Sequence, residues 1–173
     1  MEGQVKAVGE YQHVTQPFEP VYDKNSRILI LGSFPSVKSR EMGFYYGHPQ
    51  NRFWKVLSGI LEEQTPQSVE EKKNMLLRNQ IAIYDVIESC DIIGSSDSSI
   101  RNVVPADIMR MVENSGIRAV FANGKTSAKL YRKYQDEGIG LPITELPSTS
   151  PANAAFSLER LMEIWKREMQ AYL

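Results

Sequence analysis

The chain alternates short, wholly apolar runs with stretches in which apolar residues recur at helical spacing. Residues 28–31 are Ile-Leu-Ile-Leu and end at Gly32. Successive strand residues point to opposite faces, so an unbroken apolar run predicts a strand buried on both sides. Residues 50–63 carry Phe53, Val56, Leu57, Ile60 and Leu61, a spacing that lines one face of a helix. Residues 70–79 read as a helix polar on one side, leading into a second strand over 80–87. In 105–116, Pro105 marks a helix start and Gly116 its end. Residues 117–134 read as strand, tight turn and helix, and 141–151 as a fourth strand running into a turn-rich loop. The stretch 157–173 is an amphipathic closing helix with Ser157 as N-cap. Strands alternating with helices predict an α/β three-layer sandwich, with a central, mainly parallel four-stranded sheet flanked by helices. Residues 1–25, polar and interrupted by Pro17 and Pro20, read as an N-terminal arm packed on the domain, and 26–173 as a single domain.

Composition narrows the function classes. At 173 residues, 42% hydrophobic and 24% charged, the chain can bury a core without disulfides or metal. Lys plus Arg total 20 against 21 Asp plus Glu, a net charge of −1, so a nucleic-acid partner would have to be held by a local basic surface. The single cysteine, Cys90, excludes an internal disulfide or a cysteine-held cluster. It follows an apolar run (Ile81, Ile83, Val86, Ile87) and reads as a buried thiol. No apolar stretch reaches the roughly 18 residues of a membrane span, and the N-terminus lacks a secretory pattern. A cytoplasmic monomer without membrane association is expected.

In layered α/β folds, ligands bind beyond the carboxyl ends of the strands. Those ends are "GSFPS" (32–36), "YDV" (84–86), "ANGKTS" (122–127) and "LPSTSP" (146–151). The loop after the first run continues into "YYGHPQNRFW" (45–54), which therefore lies over the same edge. Familiar catalytic patterns fail here. "ANGKTS" ends like a P-loop, but the glycine required five positions before Gly124 is Ala119. Neither G-x-S-x-G nor G-x-G-x-x-G occurs, and two distant histidines make no metal-ligand cluster. What the edge offers is amides and hydroxyls (Asn51, Asn123, Ser33, Ser36, Ser148, Thr149, Ser150) beside flat aromatic faces (Phe34, Tyr45, Tyr46). Such groups suit a flat heterocycle with a lactam edge, since one Asn can donate and accept in the ring plane. "NGKTS", with helix N-terminal amides and Lys125, and "PSTS" could hold phosphate. Asp97, in "GSSDSS", reads as a surface turn.

"GSFPS" after the first strand, "HPQNRFW" soon after it and "LPSTSP" before the last helix resemble the uracil-DNA glycosylase superfamily, closest to its hypoxanthine-DNA (deoxyinosine) glycosylase branch. The resemblance spans about residues 17–173. It implies a monofunctional DNA repair glycosylase that flips a deaminated base, hypoxanthine or also uracil, out of DNA. The enzyme would then hydrolyse the N-glycosidic bond with a positioned water and no cofactor or metal. The implied partner is double-stranded DNA carrying a damaged base, with single-stranded DNA as a further form. Gly32, Ser33, Phe34, Tyr46 and Asn123 would bind the base, Tyr46 by stacking. Gly124, Lys125, Pro147, Ser148, Thr149 and Ser150 would bind DNA. The superfamily usually places a polar, water-positioning residue where Phe34 stands, and many relatives carry His or Asn at Leu146. The water then falls to Asn51, near a presumed helix start, with Asp85 at the end of the second strand as its rival. Alternatives are a mismatch-specific uracil/thymine-DNA glycosylase, a nucleoside hydrolase using the same base pocket, and a non-catalytic DNA- or nucleotide-binding module.

Overall fold

A computed structural model describes residues 9–173; the first eight residues of the expected arm lie outside the described residues. Two sheets organise the chain. The first holds β2 (Ile28–Gly32), β3 (Ile81–Asp85), β6 (Ala119–Asn123) and β7 (Ile143–Leu146) in the order β3-β2-β6-β7. Every pair in it is parallel, so the strands sit between helical layers, as the α/β reading requires. Every residue of β2 and β3 is buried, which is why both read as continuous apolar runs.

The second sheet is antiparallel, in the order β1-β4-β5, from β1 (Tyr11–Thr15), β4 (Ile87–Ile93) and β5 (Arg101–Pro105). The sequence did not announce it, because β1 and β5 carry mostly exposed residues. The expected strand over 80–87 is divided by Val86. Its N–H donates to Gly32 O at 2.9 Å and its carbonyl accepts from Ala106 N at 2.8 Å. The chain changes sheets there and leaves Asp85 at the junction. Cys90 is buried on β4.

The helices are α1 (Val37–Met42), α2 (Phe53–Leu61), α3 (Val69–Arg78), α4 (Ile108–Glu113), α5 (Lys125–Tyr134), α6 (Asp136–Ile139) and α7 (Leu158–Met169). Caps set most boundaries: Ser36, Ser68, Asp107 and Ser157 each accept from a first-turn N–H. The expected helix start at Pro105 is corrected by Asp107: Pro105 ends β5, and α4 begins only after the aspartate cap. Helix α7 packs on α2 and buries Leu161, Trp165 and Met169 completely. At about 1.5–3 kcal/mol per large apolar side chain, that burial outweighs the marginal intrinsic stability of so short a helix. Among the described residues, no helix is long and apolar enough to cross a membrane.

Candidate active site

A cavity of about 190 Å³ opens at the carboxyl ends of β2, β3 and β6. It is of the size that holds one aromatic ring: a cavity of roughly 150 Å³ admits benzene. Residues from five separated segments meet there: Gly32 to Ser36, Tyr46 with Asn51, Asp85, Asn123, and Ser148 to Ser150.

Asp85 closes β3 opposite Gly32 in the parallel register and is 3% exposed. Gln16, just after β1, donates its Nε2–H to Asp85 Oδ2 at 2.8 Å. No cation lies within 4.0 Å of the carboxylate among the described residues. Burial pushes its pKa up to about 6, and the hydrogen bonds from Gln16 and the Gly32 backbone hold back part of that rise. The result is a buried, uncompensated carboxylate that is ionised at neutral pH and has acceptor capacity beyond the Gln16 and Gly32 donors. Its position depends on Gly32: a Cβ there would stand 2.5 Å from Asp85 Oδ1 and 3.0 Å from the Tyr46 hydroxyl.

Thr149 is the hub of a hydrogen-bond chain whose direction can be deduced. Phe53 N–H must donate, and it does so to Asn51 Oδ1 at 2.9 Å, which fixes the orientation of the Asn51 amide. Thr149 Oγ1 therefore donates to the same oxygen, at 2.8 Å, and accepts from Asn123 Nδ2 at 3.0 Å. Thr149 N–H completes the loop on Asn123 Oδ1 at 3.0 Å. These bonds bear on three expectations. Asn51 lines the cavity, and both lone pairs of its carbonyl oxygen are engaged by Phe53 N–H and the Thr149 hydroxyl, so that oxygen is not open to an attacking water. Asn123 lines the cavity with its Nδ2 and Oδ1 each bonded once to Thr149 and with the Tyr46 hydroxyl beside it. Thr149, expected at the DNA, is fully buried and touches no solvent.

Tyr46 lines the cavity and stacks on Phe53, with ring centroids 4.0 Å apart and planes 17° apart. Its φ of 55° lies in the left-handed region, where a bulky residue is held only by its surroundings. Its hydroxyl is buried without a hydrogen-bond partner, and burial together with the nearby Asp85 charge pushes its pKa upward. Phe53 and Trp54 are core. Phe34 lines the cavity and packs on the patch formed by Ile87, Cys90 and Ile92. Ser33 Oγ points to Asp97 at a long 3.5 Å.

The DNA-side candidates cluster beside this cavity. Gly124, Lys125, Pro147, Ser148 and Ser150 line an adjoining depression of about 590 Å³. Gly124 has φ 103° and lies against Ser148, so no other residue fits easily. Lys125 opens α5 and is exposed. Leu146 is fully buried core, which is the physical reason an apolar residue stands there. Arg52 holds the 150–156 loop: its guanidinium donates to Ser150 O and Asn153 O, each at 3.0 Å, and to Phe156 O.

Sequence reasoning missed Gln16, Arg52 and the second role of Asp97. Gln16 lies in a segment with no periodicity. Arg52 had a signal, a charged residue immediately before a buried aromatic pair. Asp97 does sit in an exposed turn, and it also lines the cavity mouth. Among the described residues, no three His, Cys, Asp or Glu side chains converge on a point that could hold a metal ion.

Comparison with known proteins gives the family. The sequence model of the Uracil DNA glycosylase superfamily matches residues 19–169. A protein of Methanosarcina acetivorans named hypoxanthine DNA glycosylase is 34% identical over 152 residues, covering 87% of this chain and 95% of the relative. One of the same name from Methanosarcina barkeri is 37% identical over 119 residues, covering 66% of this chain and 73% of the relative. A solution structure of a Methanosarcina acetivorans protein, provisionally titled a uracil DNA glycosylase, superimposes with a TM-score of 0.76 at 33% identity. It covers 90% of this chain and 96% of that one. By its sequence, its parallel sheet and the order of its edge motifs, this chain belongs to the uracil DNA glycosylase superfamily.

Proposed function

We propose that this protein is a monofunctional DNA glycosylase that removes deaminated bases, hypoxanthine first and uracil second, with Asp85 positioning the hydrolytic water. The observation that carries the reading is a ring-sized polar cavity with a buried carboxylate that, among the described residues, has no cation beside it. The names of the relatives support hypoxanthine as the first substrate; the family itself supports uracil.

In this reading the flipped base enters the cavity and stacks on Tyr46. The remaining N–H and lone pair of Asn123 face its lactam edge. Asp85 accepts a hydrogen bond from a water aimed at C1′ of the sugar. As the C1′–N bond lengthens, its electron pair passes to the base and positive charge grows on the sugar. The carboxylate stabilises that charge through a dry, low-dielectric site. Water oxygen bonds to C1′, its proton leaves by way of Asp85, and the base is protonated as it departs. Asn51 offers its amide N–H, its oxygen being committed to Phe53 and Thr149. Lys125, Ser148 and Ser150 hold phosphates at the mouth.

The test is single-turnover release from duplexes carrying hypoxanthine, uracil, xanthine or mismatched thymine, with EDTA present, beside free deoxyinosine. Release of hypoxanthine from DNA but not from the nucleoside supports the proposal. Activity confined to free nucleosides would replace it with a nucleoside hydrolase, and a covalent adduct trapped by borohydride would exclude the water mechanism.

A further inference from the structure

Strand β5 is one edge of the antiparallel sheet, and a groove of about 670 Å³ separates it from α5. Three cations line it: Arg101 on β5, and Lys129 and Lys133 on α5. All three are exposed, and among the described residues none has a carboxylate within 4.0 Å. The lining therefore sets three cations against Asp97, with Asp91 opposite Arg101 across the strand pair and bonded to His13 and Asn102, in a chain with net charge −1. Among the described residues, Asp97 is the only acid in the lining, and it sits where the groove meets the mouth of the active cavity.

The groove is also built, in the sense that its strand wall departs from regular geometry. Strands β4 and β5 slip register between Ile87 and Ser89 and again between Ser89 and Asp91. Such irregularities re-aim side chains. Asn102 adopts φ 55° and is anchored through Nδ2 to Asp91 Oδ2 at 2.7 Å. Next to it, the Arg101 guanidinium lies 3.5 Å from the Tyr11 ring centroid, a stacking contact that fixes a side chain otherwise free to wander. Across the groove, Lys129 and Lys133 are one turn apart, about 6 Å along the helix.

We infer that this groove carries the sugar–phosphate backbone of the DNA flanking the flipped nucleotide. The inference rests on the glycosylase reading of the adjoining cavity. Cations and the hydroxyls of Ser98 and Thr126 suit phosphate oxygens, and contacts of that kind set the register of the duplex without reading its sequence. The groove therefore extends the grip beyond the lesion and explains how a chain without net positive charge holds a polyanion.

The test separates grip from chemistry. Affinity for an undamaged duplex of about 30 base pairs is measured against salt for wild type, for Lys129→Ala/Lys133→Ala and for Arg101→Ala. Each phosphate contact contributes a slope of about −0.9 in log K against log salt. The double variant should flatten the slope by about 1.8 and Arg101→Ala by about 0.9, with single-turnover release at saturating enzyme unchanged. Lys166→Ala/Arg167→Ala, on exposed positions of α7, is the control and should leave the slope alone. Unaltered slopes in the groove variants would overturn the inference, as would an equal change in the control. A reduced rate at saturation would also overturn it, by assigning the groove to the active site. Because binding is read on undamaged DNA, a wild type that released no base would refute the proposed activity while the slopes still judged the groove.

Discussion

Replacing Asp85 by Asn separates stability from catalysis in one variant. The wild-type carboxyl titrates at about 6 in the fold against 3.8 when unperturbed. The folded state therefore binds the proton more tightly than the unfolded state does, so stability falls as pH rises between those values. Integrating the two titrations, ionised Asp85 at pH 7.5 costs the fold about 2–3 kcal/mol relative to pH 4. Asn has no charge to desolvate and lacks this slope. It also loses an acceptor facing Gln16 or the Gly32 N–H, a constant penalty of about 1–3 kcal/mol. The offset between the proteins at one pH is therefore uninformative, while its change with pH is diagnostic. Urea denaturation of both proteins from pH 4 to 7.5 should show wild type losing about 2–3 kcal/mol relative to the variant. Single-turnover release by wild type should climb through pH 6 to a plateau; Asp85→Asn should fall by about 100-fold or more on that plateau and show no climb, so that the two proteins converge toward pH 4. A stability difference that does not vary with pH would refute the buried-carboxylate argument. Near-normal release by Asp85→Asn would refute its role with water.

Thr149→Val keeps the shape of a fully buried side chain but strips a partner from Asn51 and from Asn123. It should lower stability by about 2 kcal/mol and release by about tenfold or more, with Thr149→Ser restoring most of both in urea and single-turnover assays. Asn51→Asp keeps the oxygen that caps Phe53 and removes the N–H, so release should fall about 100-fold if the amide hydrogen is what the substrate meets; wild-type rates would return the role to the oxygen. Gly32→Ala forces a Cβ to 2.5 Å from Asp85 Oδ1, and should cost about 1–3 kcal/mol with a matching loss of release, measured side by side. Lys125→Ala should reduce the salt slope of binding by about one contact and leave the order of base preference intact; a changed preference would put Lys125 inside the pocket.

The parallel sheet was legible because burial on both faces leaves an unmistakable apolar run at Ile28–Leu31 and again at Ile81–Ile83. Helix α7 was legible from its cap, Ser157, and its single apolar face. The antiparallel sheet was not, since edge strands such as Tyr11–Thr15 carry exposed polar side chains and owe their conformation to partners far along the chain. The edge motifs named the right loops for the cavity, because strand ends in this architecture converge whatever their sequence separation.

Sequence alone determined which residues gather at the carboxyl edge and what kind of chemistry they can support: amides, hydroxyls, aromatic faces and one strand-end carboxylate. Tertiary structure decided which of their polar groups are already engaged and which stay open. A side chain's hydrogen-bonding capacity is fixed by its type, but which lone pairs remain free depends on neighbours brought together by folding. Asn51 looks like an acceptor in the sequence; Phe53 N–H and the Thr149 hydroxyl, the latter nearly a hundred positions away, have already filled that acceptor. Asp85 looks like an ordinary aspartate until Gln16 and the wall of the parallel sheet desolvate it and leave it without a counter-ion.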